Sequence, residues 1–177
     1  MNRVIDTNVL IVASAHAVHP APHHATPTGP ELREQVFNWV SQFAADDATI
    51  VLDSDFEIRG EYDGNLSWQD FGTQVLQSKY DRNLVVWVVI AHNEDGFASL
   101  PASLDACKWD SSDRKFGCAA FEARKTVEPV EIVNASDTDW YDVAPCLAAE
   151  DIGLRQLIDG WCRNKYRMKN GHEPPAA

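Results

Sequence analysis

Val4-Ile5-Asp6-Thr7-Asn8-Val9-Leu10-Ile11 is a short apolar run that ends in a carboxylate, passes through two residues of helix-capping type and then resumes as apolar. The pattern reads as a buried strand turning directly into a helix. Such a turn sets Asp6 at the carboxyl end of a strand, where open α/β sheets hold ligands and metal ions. Asp6 is therefore the first candidate catalytic residue.

Outward from this stretch, helical and strand patterns alternate as a parallel sheet requires. Strands are expected at Arg3 to Ile5, Ile50 to Leu52, Leu84 to Ile90, Val130 to Val133 and Leu154 to Ile158. A helix starts at Asn8, and another from Glu31 puts Leu32, Val36, Trp39, Val40 and Phe43 on one face. A third carries Glu61, beside the stripe Ile58, Tyr62 and Leu66. Ser67 caps a fourth, with Asp70 three places on and Trp68, Phe71, Val75 and Leu76 beneath it. Asp113 opens a fifth, where Phe116, Ala119, Ala120 and Ala123 follow helical spacing. Thr138 to Ala149 forms the next. His16 to Pro30, rich in His, Pro, Ala and Thr, reads as a loop, and Asp95-Gly96 as a turn.

Further carboxylates share the setting of Asp6. Asp137 and Asp139 follow the apolar run Val130 to Val133, Asp113 stands at a helix start, and Glu61 flanks an apolar stripe. Each also has a plain structural reading. Asp6, Asp113, Asp137 and Asp139 are all residue types favoured at helix caps, and a lone glutamate is commonly a surface residue. Two carboxylates at one strand end repel unless a cation sits between them.

With these residues in place, the chain resembles the PIN-domain metal-dependent ribonucleases. The resemblance rests on Val4-Ile5-Asp6-Thr7-Asn8, the Glu61-Tyr62 pair, Asp113 with Phe116 and Ala120 behind it, and Asp137-Thr138-Asp139-Trp140, in family order along most of residues 3 to 158. It implies a three-layer α/β/α fold, a central parallel sheet flanked by helices, over residues 1 to 160. Residues 16–30 and 81–100 are then elaborations, and 161–177 a C-terminal extension or tail. It implies Asp6, Glu61, Asp113 and Asp137 as catalytic residues, with Asp6, Asp113, Asp137 and Asp139 as metal ligands. Thr7, Asn8 and Arg114 fall in supporting or substrate-contacting roles. The implied partners are an RNA substrate, a second copy of the chain and, since many relatives are toxins, an antitoxin protein.

Clustered carboxylates suit this chemistry. Magnesium and manganese prefer hard oxygen ligands, and two such ions about 4 Å apart can serve both the attacking water and the leaving oxygen of a phosphodiester. The expected reaction is hydrolysis of RNA by a metal-activated water. Two other readings stand beside it. One is a PIN-like binding module without catalysis. The other takes Val51-Leu52-Asp53-Ser54-Asp55 as resembling the opening motif of haloacid-dehalogenase-type phosphatases with Asp53 as nucleophile, although Glu57 occupies the place where that motif expects Thr or Val.

Composition sets the remaining bounds. The chain has 177 residues, 45% of them hydrophobic, enough for one domain with a sizeable core. No apolar run approaches a membrane span and no basic, hydrophobic leader opens the sequence, so a cytoplasmic protein with no membrane contact is expected. Cys107, Cys118, Cys146 and Cys162 are scattered and read as reduced thiols, Cys118 packed in a helix. A net charge of −12 opposes long-range attraction of a polyanion, but carboxylates that bind cations count for less when loaded. Basic residues remain at Arg114, Lys115, Arg124 and Lys125, and at Arg163, Lys165, Arg167 and Lys169, the latter read as a solvated helix end. His16, His19, His23 and His24 fit no ordered metal motif. Trp39, Trp68 and Trp140 read as core, with Trp109 and Trp161 as candidate stacking platforms.

Overall fold

A computed structural model describes residues 1–16 and 25–175. His19, His23 and His24 lie outside that range. Five strands and eight helices are seen among the described residues, in the order β1 (Asn2–Ile5), α1 (Thr7–His16), α2 (Pro30–Ala45), β2 (Thr49–Asp53), α3 (Glu57–Asn65), α4 (Phe71–Asp81), β3 (Val85–Val88), α5 (Ala102–Asp105), α6 (Arg114–Arg124), β4 (Val130–Asn134), α7 (Trp140–Ala149), β5 (Gly153–Gln156) and α8 (Asp159–Asn170).

The sheet is wholly parallel with strand order β3-β2-β1-β4-β5. Parallel strands are covered on both faces, so they read as unbroken apolar runs rather than alternating ones. All of β4 is accordingly buried, and Val4 and Ile5 pair with Ile132 and Val133 at its centre. α1 packs with α2 and α4, while α6 lies across β1, β2, β3 and β4. The result is a three-layer α/β/α fold. From β1 the chain steps outward to β2 and β3, then crosses back to β4 on the other side of β1. The crevice where ligands bind in such sheets is therefore at the carboxyl ends of β1 and β4.

The opposite pole of the sheet is electrostatically satisfied. Arg3 bridges Asp46 at 3.0 Å and Glu131 at 2.9 Å. Glu131 also meets Arg155 at 3.0 Å, and the fully buried Lys79 ammonium donates to Asp46 and to the Ala48 carbonyl.

Several expectations are corrected. α4 begins at Phe71 rather than at Ser67, because the Ser67 amide and hydroxyl both donate to the Asp70 carboxylate and hold a turn ahead of the helix. Trp68, in that turn, is 78% exposed rather than core. Within the 81–100 elaboration the strand expected over Leu84 to Ile90 is confined to Val85–Val88, which joins the sheet as β3, and the turn after it closes where Gly96, at φ +82, donates to the Asn93 carbonyl at 3.0 Å. α5, only four residues long, is too short to carry a periodic signal in the sequence. Residues 161–170, expected as a C-terminal extension with a solvated helix end, do belong to a helix, α8, capped by Gly171 in the left-handed conformation.

Cys107 and Cys146 are not reduced thiols. They form a disulfide across 39 residues, joining the end of α5 to α7. Sequence spacing carried no sign of it, because the two cysteines are brought together only when α5 docks on α7. Cys118 and Cys162 are free and buried, as the helix reading of Cys118 anticipates.

Candidate functional site

The Asp6 amide donates to the Val133 carbonyl at 2.9 Å, extending the β1–β4 ladder one residue beyond the strand. The chain then turns into α1. One Asp6 carboxylate oxygen accepts the Asn8 amide at 2.9 Å and the Asn8 side-chain amide at 2.6 Å, and the other accepts the Trp140 indole N–H. Asp6 thus caps α1, as its plain structural reading had it, and faces the crevice as well. It is 5% exposed, and burial pushes its pKa up to about 8 against those donors, with the charges of Asp113 and Asp137 adding to the rise.

Asn8 ties this turn to the end of β4. Its side-chain amide donates to the Asn134 side-chain oxygen at 2.8 Å, and its own oxygen accepts the amides of Ala135 and Ser136. Asn134, fully buried, donates in turn to the Asp137 carbonyl at 2.6 Å. The Asp137 carboxylate accepts the Asp139 amide at 2.8 Å, and burial raises its pKa, helped by the Asp139 charge. Asp113 stands at the N-cap of α6 but makes no side-chain capping bond, so its carboxylate is left to the crevice. Burial lifts its pKa to about 7, and Asp137, Asp110 and Glu61 repel its charge further. Glu61, on α3, accepts the Thr7 hydroxyl and pairs with Lys115.

Asp6, Thr7, Asn8, Glu61, Asp113 and Asp137 all line one open cleft of about 560 Å³, joined by Ser136, Thr138, Lys165 and Lys169. Two expected members stand apart. Asp139 turns to Lys169 and a neighbouring hollow lined by Trp109 and Asp110, and Arg114 pairs with Asp105 at 3.5 Å. Sequence reasoning missed Asn134, whose signal was a polar residue closing an apolar strand run. It also read Trp140 as core alone, whereas the buried indole is a donor to Asp6. Gly117 admits the other tryptophan of this region. Trp109 lies so close over it that an added Cβ would sit 2.4 Å from the ring, and Trp109 meets Trp140 edge to face at 5.8 Å.

The donor set consists of hard carboxylate oxygens, the kind magnesium and manganese take. Among the described residues, no three His, Cys, Asp or Glu side chains are grouped tightly enough to hold one ion as they stand. Asp53 has a different place. It is fully buried at the end of β2, and its two oxygens accept the Glu57 and Ile58 amides at 2.9 Å each, so it caps α3.

The raised carboxylates predict an unusual pH profile. Asp6 and Asp113 hold protons in the metal-free fold that the unfolded chain releases near pH 4. Wherever the folded state binds more protons, stability falls as pH rises. In chelator, the melting temperature should fall between about pH 5 and 8, and Asp6→Asn should flatten the upper part of that fall. A wild-type profile that rises across the window would show that these carboxylates are not strained.

Comparison with known proteins finds no matching protein-family model, no similar curated protein and no similar solved structure.

Proposed function

We propose that this protein is a magnesium- or manganese-dependent ribonuclease that hydrolyses RNA phosphodiester bonds, as the resemblance to PIN-domain nucleases implies. The observation that carries the reading is the convergence of Asp6, Glu61, Asp113 and Asp137, from four separate chain segments, on one cleft at the carboxyl ends of β1 and β4. Asp6, Asp113 and Asp137 would hold the cation, with Glu61 beside them. When bound, it supplies Lewis-acid stabilisation of phosphate charge and a more acidic water. The chain's own residues supply orientation: Asn8 and Trp140 fix the Asp6 carboxylate, Asn134 fixes the turn that carries Asp137, and Thr7 and Lys115 hold Glu61.

Purified protein incubated with a labelled RNA should cut it in magnesium or manganese and stop when a chelator is added. Attack by water with the 3′-oxygen as leaving group gives 3′-hydroxyl and 5′-phosphate ends, the latter readable by their resistance to kinase labelling. Cleavage that persists in excess chelator, or 2′,3′-cyclic phosphate products, would end this reading.

A second reading is a PIN-like module that binds without cutting. That module would remain inert in manganese while folded. The buried, doubly bonded Asp53 leaves the phosphatase reading without an accessible nucleophile.

A role as the toxin of a toxin–antitoxin pair and a homodimeric assembly are narrower forms of the main reading, and co-expression with the product of an adjacent small reading frame tests the first. Among the described residues no helix is long and apolar enough to cross a membrane. The cytoplasm is the proposed compartment, against which the Cys107–Cys146 bond weighs because such bonds are rare there. Alkylating the thiols in freshly lysed cells reads the bond's state directly.

A further inference from the structure

We propose that Lys165, on α8, is the residue through which the cleft grips an RNA strand, pairing with a backbone phosphate beside the carboxylates. The inference rests on the ribonuclease reading for its ligand and goes beyond it in naming an element outside the resemblance. Lys165 and Lys169 are four residues apart, so they share one face of α8, and both line the cleft. The other lysine lining the cleft is occupied, since Lys169 is held by Asp139, and Lys115, which approaches through Glu61, is paired with it. Among the described residues, Lys165 has no carboxylate within 4.0 Å. Its ammonium instead lies 4.7 Å from the centroid of the Trp161 ring, one turn back on the same helix.

An exposed, unpaired lysine beside a carboxylate floor is a poor arrangement for holding the fold together and a good one for a ligand that brings its own negative charge. Once a cation offsets the carboxylates, Lys165 is, among the described residues lining the cleft, the lysine without an ion-pair partner. A phosphodiester entering toward Asp6 and Asp113 meets it without first breaking an ion pair. Trp161 does not stack on bases in this arrangement; it supports the lysine.

The test uses the full chain as wild type, Lys165→Ala, Lys165→Arg and, as a control, Lys125→Ala, which removes a lysine paired with Glu122 on α6. Binding of a fluorescein-labelled single-stranded RNA is followed by anisotropy across a salt series in calcium, a hard cation that takes carboxylate oxygens, and cleavage of the same RNA is followed in manganese. Lys165→Ala should weaken binding about tenfold, the scale of one charge-assisted contact, and lower the log–log salt slope by about 0.7. It should raise KM while kcat stays within about twofold, since only binding energy common to ground and transition states is lost. Lys165→Arg should keep the slope, and Lys125→Ala should match wild type.

An unchanged slope and KM in Lys165→Ala, or a loss confined to kcat, would overturn the inference even in an active nuclease. A slope that depends on Lys165 in a protein that never cuts would uphold it and instead defeat the ribonuclease reading.

Discussion

Asp6→Asn should cut RNA roughly a thousandfold more slowly than wild type in manganese, the effect of losing several kcal/mol of charge stabilisation at the reacting phosphate. Its far-ultraviolet dichroism should not change. Asparagine is as good a cap as aspartate, and one side-chain oxygen is enough to accept the Asn8 amide. The substitution also removes a carboxyl that burial and its neighbours keep from ionising. Above pH 8 relief of that charge offsets the acceptor lost to the Trp140 indole, so the metal-free variant should melt close to wild type. Manganese, which stabilises a fold that binds it by mass action, should raise the wild-type melting temperature and barely move that of Asp6→Asn. Asp53→Asn gives the contrast: losing an acceptor at the start of α3 should lower the melting temperature but leave the cleavage rate near wild type. A fully active Asp6→Asn, or a dead Asp53→Asn that is still folded, would refute the assignment.

Breaking the disulfide should have the largest effect on stability. Closing a loop between residues 39 apart restricts the unfolded chain by about 4 kcal/mol in the chain-entropy estimate. For a chain of this size that corresponds to a fall of roughly 10 °C in melting temperature. The variant in which both Cys107 and Cys146 are serine, compared with wild type with and without a dithiol reductant, reads it. Reductant should lower the wild-type midpoint toward that of the variant and leave the variant unmoved. Equal midpoints in all four samples would show that the bond does not form in solution.

The sheet was largely legible because a parallel sheet writes itself as apolar runs: Val4-Ile5, Ile50 to Leu52 and Val130 to Val133 all lie in strands. Ends were less so. β5 spans Gly153–Gln156 rather than Leu154 to Ile158, because its pairing with Glu131 to Asn134 sets its limits. The charges after residue 160 show a solvated helix end, but charge hides how α8 is anchored, since its buried side is reduced to Cys162 and Tyr166. At the site, Asp6, Glu61, Asp113 and Asp137 share a cleft, as their order along the chain suggested. That Asp137 lines the cleft and Asp139 does not could not be read locally, since it depends on Lys169, thirty residues on, drawing Asp139 away. The disulfide was invisible for the same reason: its geometry is a property of docked helices and not of spacing.

That bond closes a covalent ring running from Cys107 through α6 and β4 to Cys146, and Asp113 and Asp137 are both inside it while Asp6 and Glu61 are outside. A protease that nicks the chain at exposed Thr126 or Glu128 would open the ring without releasing either carboxylate. The nicked protein would migrate as a single species on a nonreducing gel and separate into two bands only when reduced. Backbone continuity and integrity of the site are thus separable in this protein.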